Sequence, residues 1–448
     1  MKYKFSKFNH CVYNKHGDLL TYNSYSNCMV KIKGTKVDKI KAAIDSKCAV
    51  VDLNDWDIST LKDEGIIVPV NENGSEKLKI RYQEIINNGS LAFTILPTEQ
   101  CNFRCKYCNE PFKKKNMSKR IQDGLIKYLR KNIRKYNRLD MAWFGGEPLL
   151  AANEIEYMTR NFLEICKAYR IPYTANITTN GYLLTPEMIK RMIKCHFTSY
   201  QVTIDGLENT HDFQKPLAGG GKTYQTVIQN LRDIRDNVKT KMIRIIIRTN
   251  ITKEIYNQFD QYLDFYQKEF GDDERFSFFF RPAMDWGGES VKTISDQLIG
   301  DDVIDSIYKQ IIETEKLRRF DSHRGFFATG GTVCAAAKLN FFTLEPDGKV
   351  HKCSQIFDDD FDTCIGYLTE DGEMIIDEAK HAPWLLERTS CDNRECFFGG
   401  NCISEFCPKL RINGVIKRNC PHEMRNIDLV MQLLDLDDTT YKTIHIGD

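Results

Sequence analysis

The chain has 448 residues, 28% of them charged and 42% apolar, with a formal net charge of +1. That balance creates no bulk field for nucleic acid or an anionic membrane, and the length suits roughly two to four domains with at least one large core. The opening residues lack an apolar signal-peptide core and no run of about 18 apolar residues occurs, so neither secretion nor a membrane span is expected. A cytoplasmic chain keeps its thiols reduced, which makes the sixteen cysteines the feature to explain.

Residues 1–75 read as a first unit, a winged-helix-like α+β domain. "KFNHCVYN" and "DLLTYN" flank a "KHGD" turn, "NCMVKI" follows as a third short strand, "KVDKIKAAI" has helical spacing, and "DISTLKDEGIIVPV" runs from helix to strand. The polar "NENGSEK" (71–77) leads into a linker, taken as 76–90.

From 91 to 320 strands and helices alternate. "LAFTIL" opens the series as a buried strand. Then come a helix over 118–136, "LDMAWF", a helix over 152–169, "YTANIT" and a helix over 185–195. "SYQVTI", a helix over 223–236, "MIRIIIRTN", a helix over 256–269, "FSFFFR" and a helix over 301–317 complete six β/α units. Such alternation implies a parallel sheet with helical crossovers, open or closed into a barrel, with the chemistry at the C-terminal strand ends. Beyond 320 the pattern changes to short strands, Gly-rich turns and cysteines, with a tail at 431–448.

The cysteines fall into groups. Cys11, Cys28, Cys48, Cys166 and Cys195 are scattered and read as small buried hydrophobes. "CNFRCKYC" (101–108) gathers Cys101, Cys105 and Cys108 directly after the first strand of the alternating region. Three thiolates on one short loop can hold three irons of a [4Fe–4S] cube and leave the fourth open to a chelating molecule. A structural zinc site normally wants four ligands, and no fourth Cys or His stands nearby. Cys334, Cys353, Cys364, Cys391, Cys396, Cys402, Cys407 and Cys420 crowd the last quarter.

The CxxxCxxC loop, with Tyr107 at its aromatic position, resembles the radical S-adenosylmethionine (radical SAM) superfamily. The resemblance covers roughly 91–320 and implies a partial (β/α)6 TIM-like barrel. It further implies that "GGEP" (Gly145, Gly146, Glu147) binds the amino group of S-adenosylmethionine, and that Asn180 of "TTNG", Asp205 of "TIDG" and Arg248 lie near that cofactor. "HDFQKP" resembles a family stretch in which arginine often stands at the place of Lys215; Lys215 is not counted among the expected contacts because the two cations bind carboxylates differently. The implied chemistry is reductive cleavage of S-adenosylmethionine to a 5′-deoxyadenosyl radical that abstracts hydrogen from carbon. No side chain declares itself as a catalytic base.

The C-terminal spacing resembles the SPASM domain of peptide-modifying radical SAM enzymes, placed at 321–430. Cys334, thirteen residues, Gly348, four residues and Cys353 fit its opening, whereas the gaps of four after Cys391 and after Cys402 depart from its usual two and three. The resemblance implies two auxiliary [4Fe–4S] clusters, making three in all. One would use Cys334, Cys353 and Cys407, with Cys364 as a fourth ligand or an open site; the other would use Cys391, Cys396, Cys402 and Cys420. The element order of residues 1–75 resembles a RiPP recognition element, which takes a leader peptide as an added strand.

Together these resemblances imply a cytoplasmic maturase of a ribosomally made precursor peptide, served by a reductant such as flavodoxin or ferredoxin. The expected product is an oxidative crosslink, foremost a thioether of sactipeptide or ranthipeptide type. A carbon–carbon crosslinking cyclase and an anaerobic sulfatase-maturing enzyme are the alternatives, and a zinc-bearing binding protein is the reading from another class. Neither nucleic acid nor membrane is an expected partner.

Overall fold

The computed structural model describes residues 2–46, 55–86, 89–286, 288–317, 319, 333–354, 364–385, 396–402, 407–412, 420, 422–437 and 442–446. The chain forms two compact units. One gathers 1–88, 305–338 and 386–448; the other gathers 89–304 and 339–385.

The first unit opens with β1 (Tyr3–Phe5), β2 (Asn9–Tyr13), β3 (Leu19–Asn23) and β4 (Cys28–Lys33), followed by helices Val37–Asp45 and Asp55–Asp63 and by β5 (Ile67–Pro69). The "KHGD" turn forms as expected: the Asn14 side chain accepts from the backbone N–H groups of His16 (3.0 Å) and Asp18 (2.9 Å). β2, β3 and β4 make an antiparallel meander, and β5 pairs with β1. Leu19, Val30, Ile32, Ile40, Leu61 and Ile66 form its buried core. The stretch read as a linker carries a helix, Gly74–Ile86. Asn73 caps it by accepting from Ser75 N (3.0 Å) and Glu76 N (3.4 Å). Ile85, with Tyr82 beside it, gives it a face that packs on Val333 and Ala337. A polar start concealed that face.

The second unit is built on β6 (Ser90–Ile95), β7 (Arg138–Trp143), β8 (Tyr173–Thr179), β9 (Phe197–Thr203), β10 (Arg244–Ile251) and β11 (Phe276–Pro282). All five neighbouring pairs are parallel, and the spatial order follows the chain order without reversal. A doubly wound sheet needs a switch point where that order reverses; without one, crossovers of a single hand bend the sheet into the arc of a barrel. Several returns to helix share one device. Ser118, Thr185 and Thr252 cap helices Lys119–Asn132, Pro186–Lys194 and Lys253–Asn257 through their hydroxyls. Along β10 the residues Ile245, Ile247, Thr249 and Ile251 are buried, while Ile246 and Arg248 between them are only partly so. The barrel thus turns an apolar face to its helices and a more polar face inward, where Thr178, Gln201 and Arg248 stand.

β12 (Phe341–Leu344) extends this sheet beyond β6, parallel to it, and β13 (Lys349–His351), β14 (Gly366–Leu368) and β15 (Met374–Ile376) continue it as an antiparallel meander, giving ten strands. The final strand, β16 (Lys442–His445), returns to the first unit and pairs in parallel with β4, so the small sheet runs β16-β4-β3-β2. Its isoleucine Ile444 and the following Ile446 are fully buried in that unit's core, a burial contributing about 3–6 kcal/mol before ordering costs.

Candidate active site

The cysteine loop leaves the C-terminal end of β6, and its shape is imposed from three sides. From the segment after helix Glu208–Gln214 come strand-like bonds: Arg104 N to Pro216 O (2.8 Å), Lys106 N to Gln214 O (2.9 Å), and Ala218 N to Asn102 O (2.8 Å). Phe103 is fully buried, packed edge-on against Tyr182. From below, Glu99 accepts from the backbone N–H groups of Lys113 (3.1 Å) and Lys114 (2.8 Å), and the Gln100 amide donates to Phe112 O (2.7 Å). These bonds fold residues 109–114 back over the strand end. Lys114 then bridges Glu345 (2.5 Å) and Asp347 (3.2 Å) beyond the end of β12.

The third side is "GGEP". Gly145 has φ +109°, and a side chain there would meet the Thr98 carbonyl oxygen at 2.5 Å; at Gly146 one would overlap the carbonyl oxygens of Glu99 and Gln100. The glycines let this loop lie against the segment that launches the cysteines. Glu147 is wholly buried, and its carboxylate accepts from Leu149 N (3.0 Å), the Thr179 hydroxyl (2.8 Å) and Asn180 N (2.7 Å). Burial pushes its pKa up, and those donors counter it. Glu147 therefore ties the second strand loop to the third. A cofactor ammonium at this carboxylate would share it with the three donors already in place.

The remaining expected residues converge on the loop. Asn180 donates to Asn102 Oδ1 (2.7 Å) and lies 3.8 Å from Cys101 Sγ. Asp205, fully buried, accepts from the Tyr107 phenol and from Asn250 N (2.8 Å). Lys215, set aside on sequence grounds, stands at the centre: its ammonium donates to Tyr107 (3.2 Å) and lies 3.9 Å from Asp205. Burial pulls the Lys215 pKa down, but Cys105, Asp205, Cys101 and Cys108 more than offset it and keep the ammonium charged. Arg248 points its guanidinium along the inner face, 3.2 Å from Asn250 Oδ1 and over the Phe279 ring at 5.4 Å. Asp205 N donates to His211 Nδ1 (3.2 Å), and burial followed by the Lys215 charge holds that imidazole neutral, well below its usual pKa.

The three thiols sit in this polar nest. Phe103 N donates to Cys101 Sγ (3.3 Å) and Glu110 N to Cys108 Sγ (3.4 Å). Burial pushes Cys101 and Cys108 up to about 12, with Glu147 adding to it at Cys101 and Cys105 at Cys108, and burial with the Asp205 charge raises Cys105 as well. Thiols so placed stay protonated near neutral pH and would give up their protons to a cationic centre held among them.

The later cysteines are divided between the two units. Cys353 follows β13 and Cys364 precedes β14 in the barrel unit, where the buried Cys364 thiol donates to Gly366 O (3.1 Å). In the other unit Cys334 precedes a short turn, Cys396 and Cys402 flank the turn Phe397–Gly400, Cys407 precedes helix Pro408–Ile412, and Cys420 is exposed. The Cys396–Cys402 turn is docked on the small sheet: Ser24 Oγ donates to Phe397 O, Gly400 N donates to Ser24 Oγ (3.3 Å) and the Asn401 amide donates to the Tyr22 hydroxyl (3.1 Å). Cys391 lies outside the described residues. Among the described residues no group of three or more His, Cys, Asp or Glu is gathered for a single metal ion.

Residues 95–265 match the Radical SAM superfamily profile. The radical SAM cyclopropyl synthase TigE of Paramaledivibacter caminithermalis is 24% identical over 196 residues, 39% of this chain and 40% of that protein. A GTP 3′,8-cyclase of Campylobacter fetus is 31% identical over 119 residues, 25% of this chain and 34% of that protein. The chain thus spans about two fifths or less of the length of the curated relatives it matches. In structure it resembles native anSMEcpe with bound AdoMet and Cp18Cys peptide, with a TM-score of 0.53 at 15% identity over 76% of this chain and 99% of that one; this is a likeness of fold.

The superfamily implies a [4Fe–4S] cluster and S-adenosylmethionine, and the residues present fit them. Three thiols share one loop with no fourth cysteine or histidine on it, amide N–H groups aim at two of the sulfurs, and a buried ammonium stands beside them. Residues 95–265 thus carry a radical SAM domain.

Proposed function

We propose that this protein is a radical SAM maturase of a ribosomally made precursor peptide, installing an oxidative crosslink, foremost a thioether between a cysteine sulfur and a carbon of another residue. The observation that carries the radical chemistry is the Cys101/Cys105/Cys108 loop at the C-terminal end of β6, braced by "GGEP" and charged by Lys215. When bound, the cluster and S-adenosylmethionine supply a radical able to take hydrogen from an unactivated carbon. Cys101, Cys105 and Cys108 would hold the cluster. Tyr107, Asp205, Asn180 and Arg248 would line the cofactor's seat, with Glu147 and the two glycines fixing its floor. The inner barrel face, with Thr178, Gln201 and Arg248, offers hydrogen-bonding groups to an extended substrate.

A peptide substrate is supported by the order of parts: a small sheet domain, a barrel, and a cysteine-rich C-terminal region resembling SPASM. Cys334, Cys353, Cys364, Cys391, Cys396, Cys402, Cys407 and Cys420 are the proposed ligands of two auxiliary clusters, whose task is to accept the electron that crosslinking releases. Anaerobic incubation of the purified enzyme with its precursor peptide, reductant and S-adenosylmethionine tests the reading by mass spectrometry. A product lighter by two hydrogens, with one cysteine no longer alkylatable, is expected. The same mass loss with every cysteine still alkylatable identifies a carbon–carbon crosslink instead, and a peptide of unchanged mass overturns both.

A further inference from the structure

A sheet edge that accepts a guest strand leaves its hydrogen-bonding groups open on one side. In the small sheet the meander β2-β3-β4 is complete in itself, with registers of five residue pairs on each side of β3. Its β4 edge is nevertheless filled. Lys442, Thr443, Ile444 and His445 pair in parallel with Val30, Lys31, Ile32 and Lys33, and Ile446 N donates to Lys33 O (2.8 Å). This strand comes from the far end of the chain, pairs on one side only, and is the shortest in its sheet.

Its residues behave as a guest's would. Ile444 and Ile446 enter the core formed by Ile32, Ile40, Ile44 and Leu61, while Lys442, Thr443 and His445 are exposed. The edge is shaped to receive a backbone. Gly34 has φ +119°, and a side chain there would overlap the Ile446 carbonyl oxygen. Outside these contacts the strand is anchored by an exposed ion pair, Lys442 with Glu64 at 3.0 Å, of the kind that adds little.

We infer that the β4 edge is an acceptor for an extended peptide with apolar residues at alternate positions, that the chain's own Lys442–Ile446 occupies it in cis, and that the precursor's leader binds by taking that strand's place. The inference deepens the maturase reading and rests on it for the identity of the guest. The acceptor edge itself rests on the sheet alone.

Two measurements on the full chain test it without S-adenosylmethionine, so a failure here is distinct from a failure of the radical chemistry. In amide hydrogen exchange, residues 442–446 should exchange through local opening, about tenfold or more faster than the β3 amides. Exchange of both strands at one common rate would overturn the idea. In the second, a fluorescent peptide copying residues 441–448 is titrated against the wild type and against Ile444→Asp/Ile446→Asp. The variant, its own strand unseated, should bind the peptide about tenfold or more tightly than the wild type, and a peptide carrying the same two aspartates should not bind. Equal affinity of both proteins for the peptide overturns the proposal. If the variant does not fold, the exchange measurement on the wild type decides.

Discussion

At the scale of single residues, the site depends on a few buried charges that neutralise one another. Tyr107 contributes the aromatic position of the cysteine motif, yet its hydroxyl joins Asp205 to Lys215. Tyr107→Phe keeps the ring and removes both bonds. Bonds to charged groups contribute about 1.5–3 kcal/mol, so S-adenosylmethionine cleavage by Y107F should fall roughly ten- to a hundredfold with iron content unchanged; wild-type turnover would remove the phenol from the account. Lys215→Met strands the Asp205 carboxylate without its cation, a loss of about 3–5 kcal/mol, visible as a lower thermal midpoint that Lys215→Arg should partly restore. His211 gives the pH dependence. Its folded pKa lies well below the ordinary 6.5, so below that value the unfolded chain takes up a proton that the folded chain refuses. Stability from this group is complete above pH 6.5 and declines as pH falls, by up to about 1.4 kcal/mol per unit. His211→Asn, which retains an acceptor for Asp205 N, should flatten the fall in thermal midpoint between pH 7 and 5. None of this network was legible as a network. Lys215 is 108 positions from Tyr107, and a sequence pattern names residue types without showing which ones the fold brings together.

At the scale of elements, the loops are positioned by close backbone contact. Gly146→Ala drives a methyl group into the Glu99 and Gln100 carbonyls. The cost should be about 1–3 kcal/mol, accompanied by fewer irons retained per chain after anaerobic reconstitution. Gly219→Ala, whose added methyl meets nothing within 4 Å, is the matched control and should change neither quantity. The six strands of the barrel were readable in advance because short, largely apolar runs alternate with stretches of helical spacing, and their observed bounds differ from the expected ones by a few residues. Helix Gly74–Ile86 was not, since its polar first turn resembles a loop and its apolar contacts, Val333 and Ala337, are remote in sequence. The pairing of β16 with β4 was equally hidden, because four residues with two isoleucines carry little signal until a partner edge is known.

At the scale of the whole molecule, the chain is not partitioned in sequence order. The first unit assembles three separated segments, and residues 339–385 fold with the barrel rather than with the cysteine-rich segments on either side. Composition and cysteine spacing describe neighbours along the chain, so this interleaving lay beyond them. What was legible was the chemistry of one loop, since three cysteines within eight residues after a buried strand leave few other physical readings. That loop is also where the account is most exposed. The direct measurement is anaerobic incubation with S-adenosylmethionine and dithionite, quantifying 5′-deoxyadenosine by chromatography for the wild type and for a variant with Cys101, Cys105 and Cys108 all replaced by alanine. The account predicts 5′-deoxyadenosine from the wild type and none above background from the variant; production at the wild-type rate by the variant would contradict it.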